Sequence, residues 1–130
     1  MTRPLTTVLV LAALALGGLG ACSSGSSAKK CPAKIEIKSV PGGAITVCGS
    51  EIKFDVNTIK VKPGPLTVTL RNGGSTYHTL KIEDTSMPEL KANPGKSDTG
   101  TVTLAKGTYD FECTVPGHAA AGMKGKIVVG

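Results

Sequence analysis

The chain has 130 residues, 40% of them hydrophobic and 3% aromatic, with 17 Gly, 8 Pro and a formal net charge of +6. That supplies one domain with one modest core, and 18% charged residues is too few for a disordered polyelectrolyte. The basic residues are dispersed, which excludes a nucleic-acid tail or polybasic membrane patch, and two histidines exclude any mechanism needing several histidine-lined metal sites.

Residues 1–21 read as an export signal. Arg3 supplies a positive start, Leu5 to Leu19 are almost purely apolar, and Gly20 and Ala21 form a small-residue exit; the run is short for a membrane span, a permanent N-terminal anchor helix being the alternative. Leu19-Gly20-Ala21-Cys22 resembles the lipobox of bacterial lipoproteins, which implies cleavage before Cys22 and a diacylglyceryl group on its sulfur. Such acyl chains would tether the protein to a membrane on its extracytoplasmic or periplasmic face. Residues 22–30 follow as a Ser/Gly tether with nothing to pack, reaching roughly 16 Å as a random coil.

From residue 31 to residue 130 a single folded domain is expected. Apolar residues alternate through Ile35/Ile37, Ile45/Val47, Ile52/Phe54/Val56, Leu66/Val68/Leu70, His78/Leu80/Ile82, Val102/Leu104, Tyr109/Phe111/Cys113 and Ile127/Val129. A period of two marks strands with one face buried. Pro41-Gly42-Gly43, Lys62-Pro63-Gly64, Asn72-Gly73-Gly74, Asn93-Pro94-Gly95 and Lys106-Gly107 punctuate them as turns. Seven or eight short strands with no long helix predict an all-β sandwich. The segment from Asp84 to Lys96 fits no strand pattern and is expected to be a loop or short helical turn.

With Cys22 assigned to the lipid, Cys31 and Cys48 are the natural disulfide pair, seventeen positions apart, in an oxidising compartment. Pairing of either with Cys113 stays open at the level of sequence. The neighbourhood of Cys113 argues for another use. Cys113, His118 and Met123 follow one another at four-residue gaps just after a strand, and His78 lies thirty-five residues upstream of Cys113. Two imidazoles, a thiolate and a thioether are the ligand set of a blue-copper site, a His₂Cys plane with a weak axial Met. The register agrees: Cys113 shares the inward face with Tyr109 and Phe111, and His78 shares one with Leu80 and Ile82.

On these residues, on the Ile59-Lys60-Val61-Lys62-Pro63-Gly64 turn and on the terminal Gly125-Lys126-Ile127-Val128-Val129 strand, the chain resembles the cupredoxins, the type 1 blue copper proteins of the azurin, auracyanin and plastocyanin kind. The resemblance implies a Greek-key β-sandwich with one copper ion held by His78, Cys113, His118 and Met123. Where that family often carries an asparagine after the first histidine, this chain has Thr79, and Thr79 with Thr114 is expected to brace the cysteine loop instead. The implied function is a monomeric single-electron carrier that meets redox partner proteins transiently, near the apolar surroundings of His118. A copper-binding module for storage or delivery is the alternative. A multicopper enzyme would need more histidines than the chain has.

Overall fold

A computed structural model describes Cys31 and residues 43–130. Among the described residues nine strands follow in chain order: β1 (Ala44–Ser50), β2 (Lys53–Phe54), β3 (Thr58–Val61), β4 (Gly64–Asn72), β5 (His78–Ile82), β6 (Leu90–Ala92), β7 (Ser97–Leu104), β8 (Gly107–Glu112) and β9 (Lys124–Val129). They form two sheets, ordered β2-β1-β4-β7 and β3-β9-β8-β5-β6. This is the β-sandwich expected from the alternation. Within it β1 pairs with β4, and β3 with β9, in parallel, while the other pairings are antiparallel.

Each inner face is the apolar half of an alternating strand. β4 turns Leu66, Val68 and Leu70 inward, β7 contributes Val102 and Leu104, and β9 contributes Ile127 and Val129. These residues meet Phe111 of β8 in one core, where the Phe54 and Phe111 rings lie 5.5 Å apart at a tilt. A tilted aromatic pair at that distance adds a modest stabilisation beyond its buried area.

Three local expectations change. The stretch from Asp84 to Lys96 contains β6, whose three residues alternate buried, exposed, buried and pair with β5 through His78↔Ala92, Thr79↔Lys91 and Leu80↔Leu90. So short a run carries no periodicity of its own; pairing with β5 makes it a strand. The segment Ile59 to Gly64 is a strand before it is a turn, because Ile59 and Val61 are drawn inward against β9. Ile52, grouped with Phe54 by alternation, is 48% exposed. It follows Glu51, whose positive φ of 52° reverses the chain between β1 and β2.

Cys31 and Cys48 form the disulfide, with Cα atoms 5.7 Å apart, and Cys113 is a free, buried thiol. The signal and tether boundaries, the lipid position Cys22 and the strand anticipated at Ile35 and Ile37 lie outside the described residues.

Candidate metal centre

Two pieces of backbone deliver the four residues singled out in the sequence. β5 begins at His78, and the loop after β8 carries Cys113, His118 and Met123 before β9 starts. The β8 alternation that buries Phe111 also buries Cys113, and His78, Cys113 and Met123 are all 0% exposed. His118 is half-buried and reaches the surface.

The approach to His78 is held by the buried Asn72 side chain. Its Nδ2 donates to the carbonyls of Thr76 (2.6 Å) and Ala92 (2.8 Å), and its Oδ1 accepts from the Gly74 N–H (3.0 Å). One amide thus uses both donors and its oxygen to shape the turn between β4 and β5 and tie it to β6. Sequence inspection marks Asn72 only as a turn former. The turn also needs glycine at 73, where a Cβ would come within 2.7 Å of Cys31 Sγ.

The cysteine-to-methionine loop is closed by its own backbone. Cys113 N–H donates to the Met123 carbonyl (3.0 Å), Met123 N–H to that of His118 (3.0 Å), and His118 N–H to that of Val115 (3.0 Å). Gly117, at φ 86°, gives the turn a conformation that most side chains resist.

One ligand-type atom from each of His78, Cys113 and His118 lies within 4.8 Å of the other two. The imidazole rings are 5.4 Å apart, and Cys113 Sγ is 3.5 Å from His118 Nδ1. His78 Nε2 meets the Thr76 hydroxyl at 3.4 Å, leaving Nδ1 buried with no hydrogen-bond partner among the described residues. A buried polar nitrogen without a partner is costly and rare. If Nε2 carries the proton and gives it to Thr76, Nδ1 is a bare lone pair, the form a metal requires. Burial lowers the His78 pKa, the nearby His118 charge lowers it further, and Glu51 opposes both. Met123 completes the chamber: a Cβ placed on Gly49 would lie 3.1 Å from both the Met123 terminal methyl and His78 Cδ2.

Thr79 and Thr114 brace the thiol as the sequence suggested. The Thr79 N–H points at Cys113 Sγ (3.4 Å), its hydroxyl lies 3.7 Å from the same sulfur, and Thr79 Oγ1 accepts the Thr114 N–H (2.8 Å). The structure therefore brings all four sequence-predicted side chains to one pole of the sandwich and keeps Cys31 and Cys48 in the disulfide beside it. A buried lone-pair nitrogen, a thiol and a second imidazole converging on one point fit a soft, redox-capable ion such as copper.

Known proteins agree with that chemistry. Residues 42–130 match the family model described as copper binding proteins, plastocyanin/azurin family. The "Copper-resistant cuproprotein CopI" of Rubrivivax gelatinosus is 31% identical over 104 residues, an alignment spanning 64% of this chain and 63% of that protein. The chain thus covers less than two thirds of that relative's length. Among solved structures, dithionite-reduced auracyanin from Roseiflexus castenholzii superposes with a TM-score of 0.62 at 25% identity, over 71% of this chain and 99% of that one. Auracyanin A, a "blue" copper protein of Chloroflexus aurantiacus, gives 0.59 at 26% identity, over 67% and 98%.

Proposed function

The chain belongs to the plastocyanin/azurin family of copper-binding proteins, and from that premise we propose that it is a single-electron carrier whose one copper ion is held by His78, Cys113, His118 and Met123. The carrying observation is the set of three residues, His78, Cys113 and His118, whose donor atoms lie within 4.8 Å of one another, with a buried His78 nitrogen that has no hydrogen-bond partner among the described residues. When bound, copper supplies a one-electron cycle between Cu(II) and Cu(I).

Each residue has a part in that cycle. Thiolate and thioether suit the reduced ion and imidazole suits both states, so the set favours neither strongly. His78 is fixed by β5 and the Asn72 turn, and the other three by a loop closed by its own backbone hydrogen bonds. Donors held in advance need little rearrangement when charge changes, which favours rapid transfer. His118 is the ligand at the surface, with exposed Pro116, Gly117 and Ala120 around it. We assign to that rim the transient docking of redox partner proteins, an encounter that small interfaces serve well. Both histidines of the chain are spent on this site, leaving none for the further copper of a multicopper enzyme. Placement as an exported lipoprotein, anchored through Cys22 on the extracytoplasmic or periplasmic face, belongs to the same proposal and rests on the sequence of residues 1–30.

A second reading, copper storage or delivery, draws support from the similarity to a protein named for copper resistance. The two readings separate on one preparation. Loading the soluble fragment with Cu(II) should give an intense visible thiolate-to-copper band, a narrow copper EPR signal and a reversible one-electron titration with copper retained through many cycles. Loss of copper to a mild chelator within a few cycles would favour the second reading. In Cys113→Ser the band should vanish while the fold persists; a surviving band would refute the ligand assignment.

A further inference from the structure

The Thr79–Thr114 brace does not end at Thr114. The Thr114 hydroxyl donates to Glu89 Oε2 at 2.6 Å, within the range of a charge-assisted O–H···O⁻ bond. Glu89 precedes β6, the strand that sequence periodicity missed, and its carboxylate is 27% exposed with Lys91 Nζ 3.9 Å from the other oxygen. A continuous chain therefore runs from a surface carboxylate through Thr114 and Thr79 to the buried sulfur of Cys113.

Counting protons along it gives it a direction. A threonine hydroxyl has one hydrogen to donate. Thr114 gives its hydrogen to Glu89, so Thr114 Oγ1 can only accept from Thr79 Oγ1, 2.9 Å away. Thr79 therefore spends its single hydroxyl hydrogen on Thr114. The competing acceptor, Cys113 Sγ at 3.7 Å, keeps the Thr79 N–H at 3.4 Å as its donor from this residue.

We propose that Glu89 is a positioning residue for the copper centre: by taking the Thr114 hydroxyl hydrogen it turns the Thr79 hydroxyl away from Cys113 and so lowers the reduction potential. This rests on Cys113 being the copper thiolate. Without the carboxylate, Thr114 donates back to Thr79 Oγ1, and the Thr79 hydrogen turns to the sulfur. A further hydrogen bond on a coordinated thiolate withdraws electron density from it and so disfavours the oxidised ion, and hydrogen bonding around this sulfur is a recognised control on blue-copper potentials.

The test compares reduction potential and thiolate-to-copper band energy in the copper-loaded protein and in Glu89→Ala, Glu89→Gln, Thr114→Val and Glu89→Ala/Thr114→Val. Glu89→Ala is expected to favour reduction about threefold, roughly 28 mV given 59 mV per tenfold for a one-electron couple, and to move the band to higher energy. Thr114→Val, which removes the acceptor for Thr79, should do the same, and the double variant should move no further than either single one. Glu89→Gln keeps an oxygen for Thr114 and should stay near the parent value. Equal shifts in Glu89→Ala and Glu89→Gln would mean that charge alone acts and would overturn the relay. So would additive shifts in the double variant, or no shift in Glu89→Ala. A parent protein with no thiolate-to-copper band would instead remove the copper reading beneath it.

Discussion

Gly49 offers the sharpest trial of how the fold fits the metal centre. It lies in β1 opposite Asn72 of β4, and a Cβ built on it would sit 3.1 Å from His78 Cδ2, 3.1 Å from Met123 Cε and 3.4 Å from His78 Cγ. Carbon atoms prefer roughly 3.5–4.0 Å, so in Gly49→Ala something must yield by a few tenths of an ångström. The imidazole has little room, since β5 and the turn fix it; the unbranched Met123 side chain can shift. Overpacking of this kind costs about 1–2 kcal/mol, which lowers Tm by roughly 4–16 °C for a domain of this size. Gly100→Ala is the matched control, because its Cβ would meet Leu90 Cδ2 at 3.1 Å and Met87 Cγ at 3.3 Å, away from the ligands. Thermal unfolding should show a loss in both variants. The reduction potential and EPR spectrum should change only in Gly49→Ala, and should stop responding to that substitution once Met123 is replaced by Leu. A Gly49→Ala protein with the parent's potential, spectrum and Tm would refute the idea that β1 forms the chamber floor.

Three further expectations can be checked on the same protein. Met123→Leu should keep the visible band but raise the potential, because loss of a weak axial donor disfavours Cu(II); an unchanged or lower value in voltammetry would remove Met123 from the ligand set. Replacing Cys31 and Cys48 together by Ser opens a loop of seventeen positions and should cost about 3 kcal/mol in urea unfolding, a loss under 1 kcal/mol contradicting the chain-entropy account. Burial holds the His78 pKa below the usual histidine value, so the unfolded chain takes the proton first. Metal-free stability should therefore be fullest above about pH 6.5 and decline toward pH 5, and His78→Gln should flatten that part of the profile.

What sequence could disclose followed from whether a signal was local. The order His78, Cys113, His118, Met123 was legible because scarce residue types carry the chemistry, and the inward direction of Cys113 was legible because β8 alternates cleanly through Tyr109, Phe111 and Cys113. Cys31 with Cys48 was the pair the sequence favoured, but only the fold closes the alternative with Cys113, by bringing Cys31 to Cys48 and leaving Cys113 a free thiol. β6 escaped for a related reason: Leu90, Lys91 and Ala92 have no pattern until β5 lies beside them. Asn72, Gly49 and Glu89 touch the site from β4, β1 and the approach to β6, elements far apart in sequence. Their residue types are ordinary for a turn, a strand glycine and a surface acid, so no local signal marks them.

The missed residues share a physical task, which explains why the ligands alone do not make the centre. Asn72 binds the turn that leads into His78 to Ala92, and β6 supplies that carbonyl. The loop from Cys113 to Met123 is closed at its ends by the Cys113 N–H donating to the Met123 carbonyl. Both devices are made of the chain's own hydrogen bonds, so part of the ordering of these side chains belongs to folding. In the proposed carrier role, a site prepared in this way has little left to adjust when an electron enters or leaves. In a site assembled by the metal itself, each change of oxidation state would also reorder the loop, and transfer would be slow.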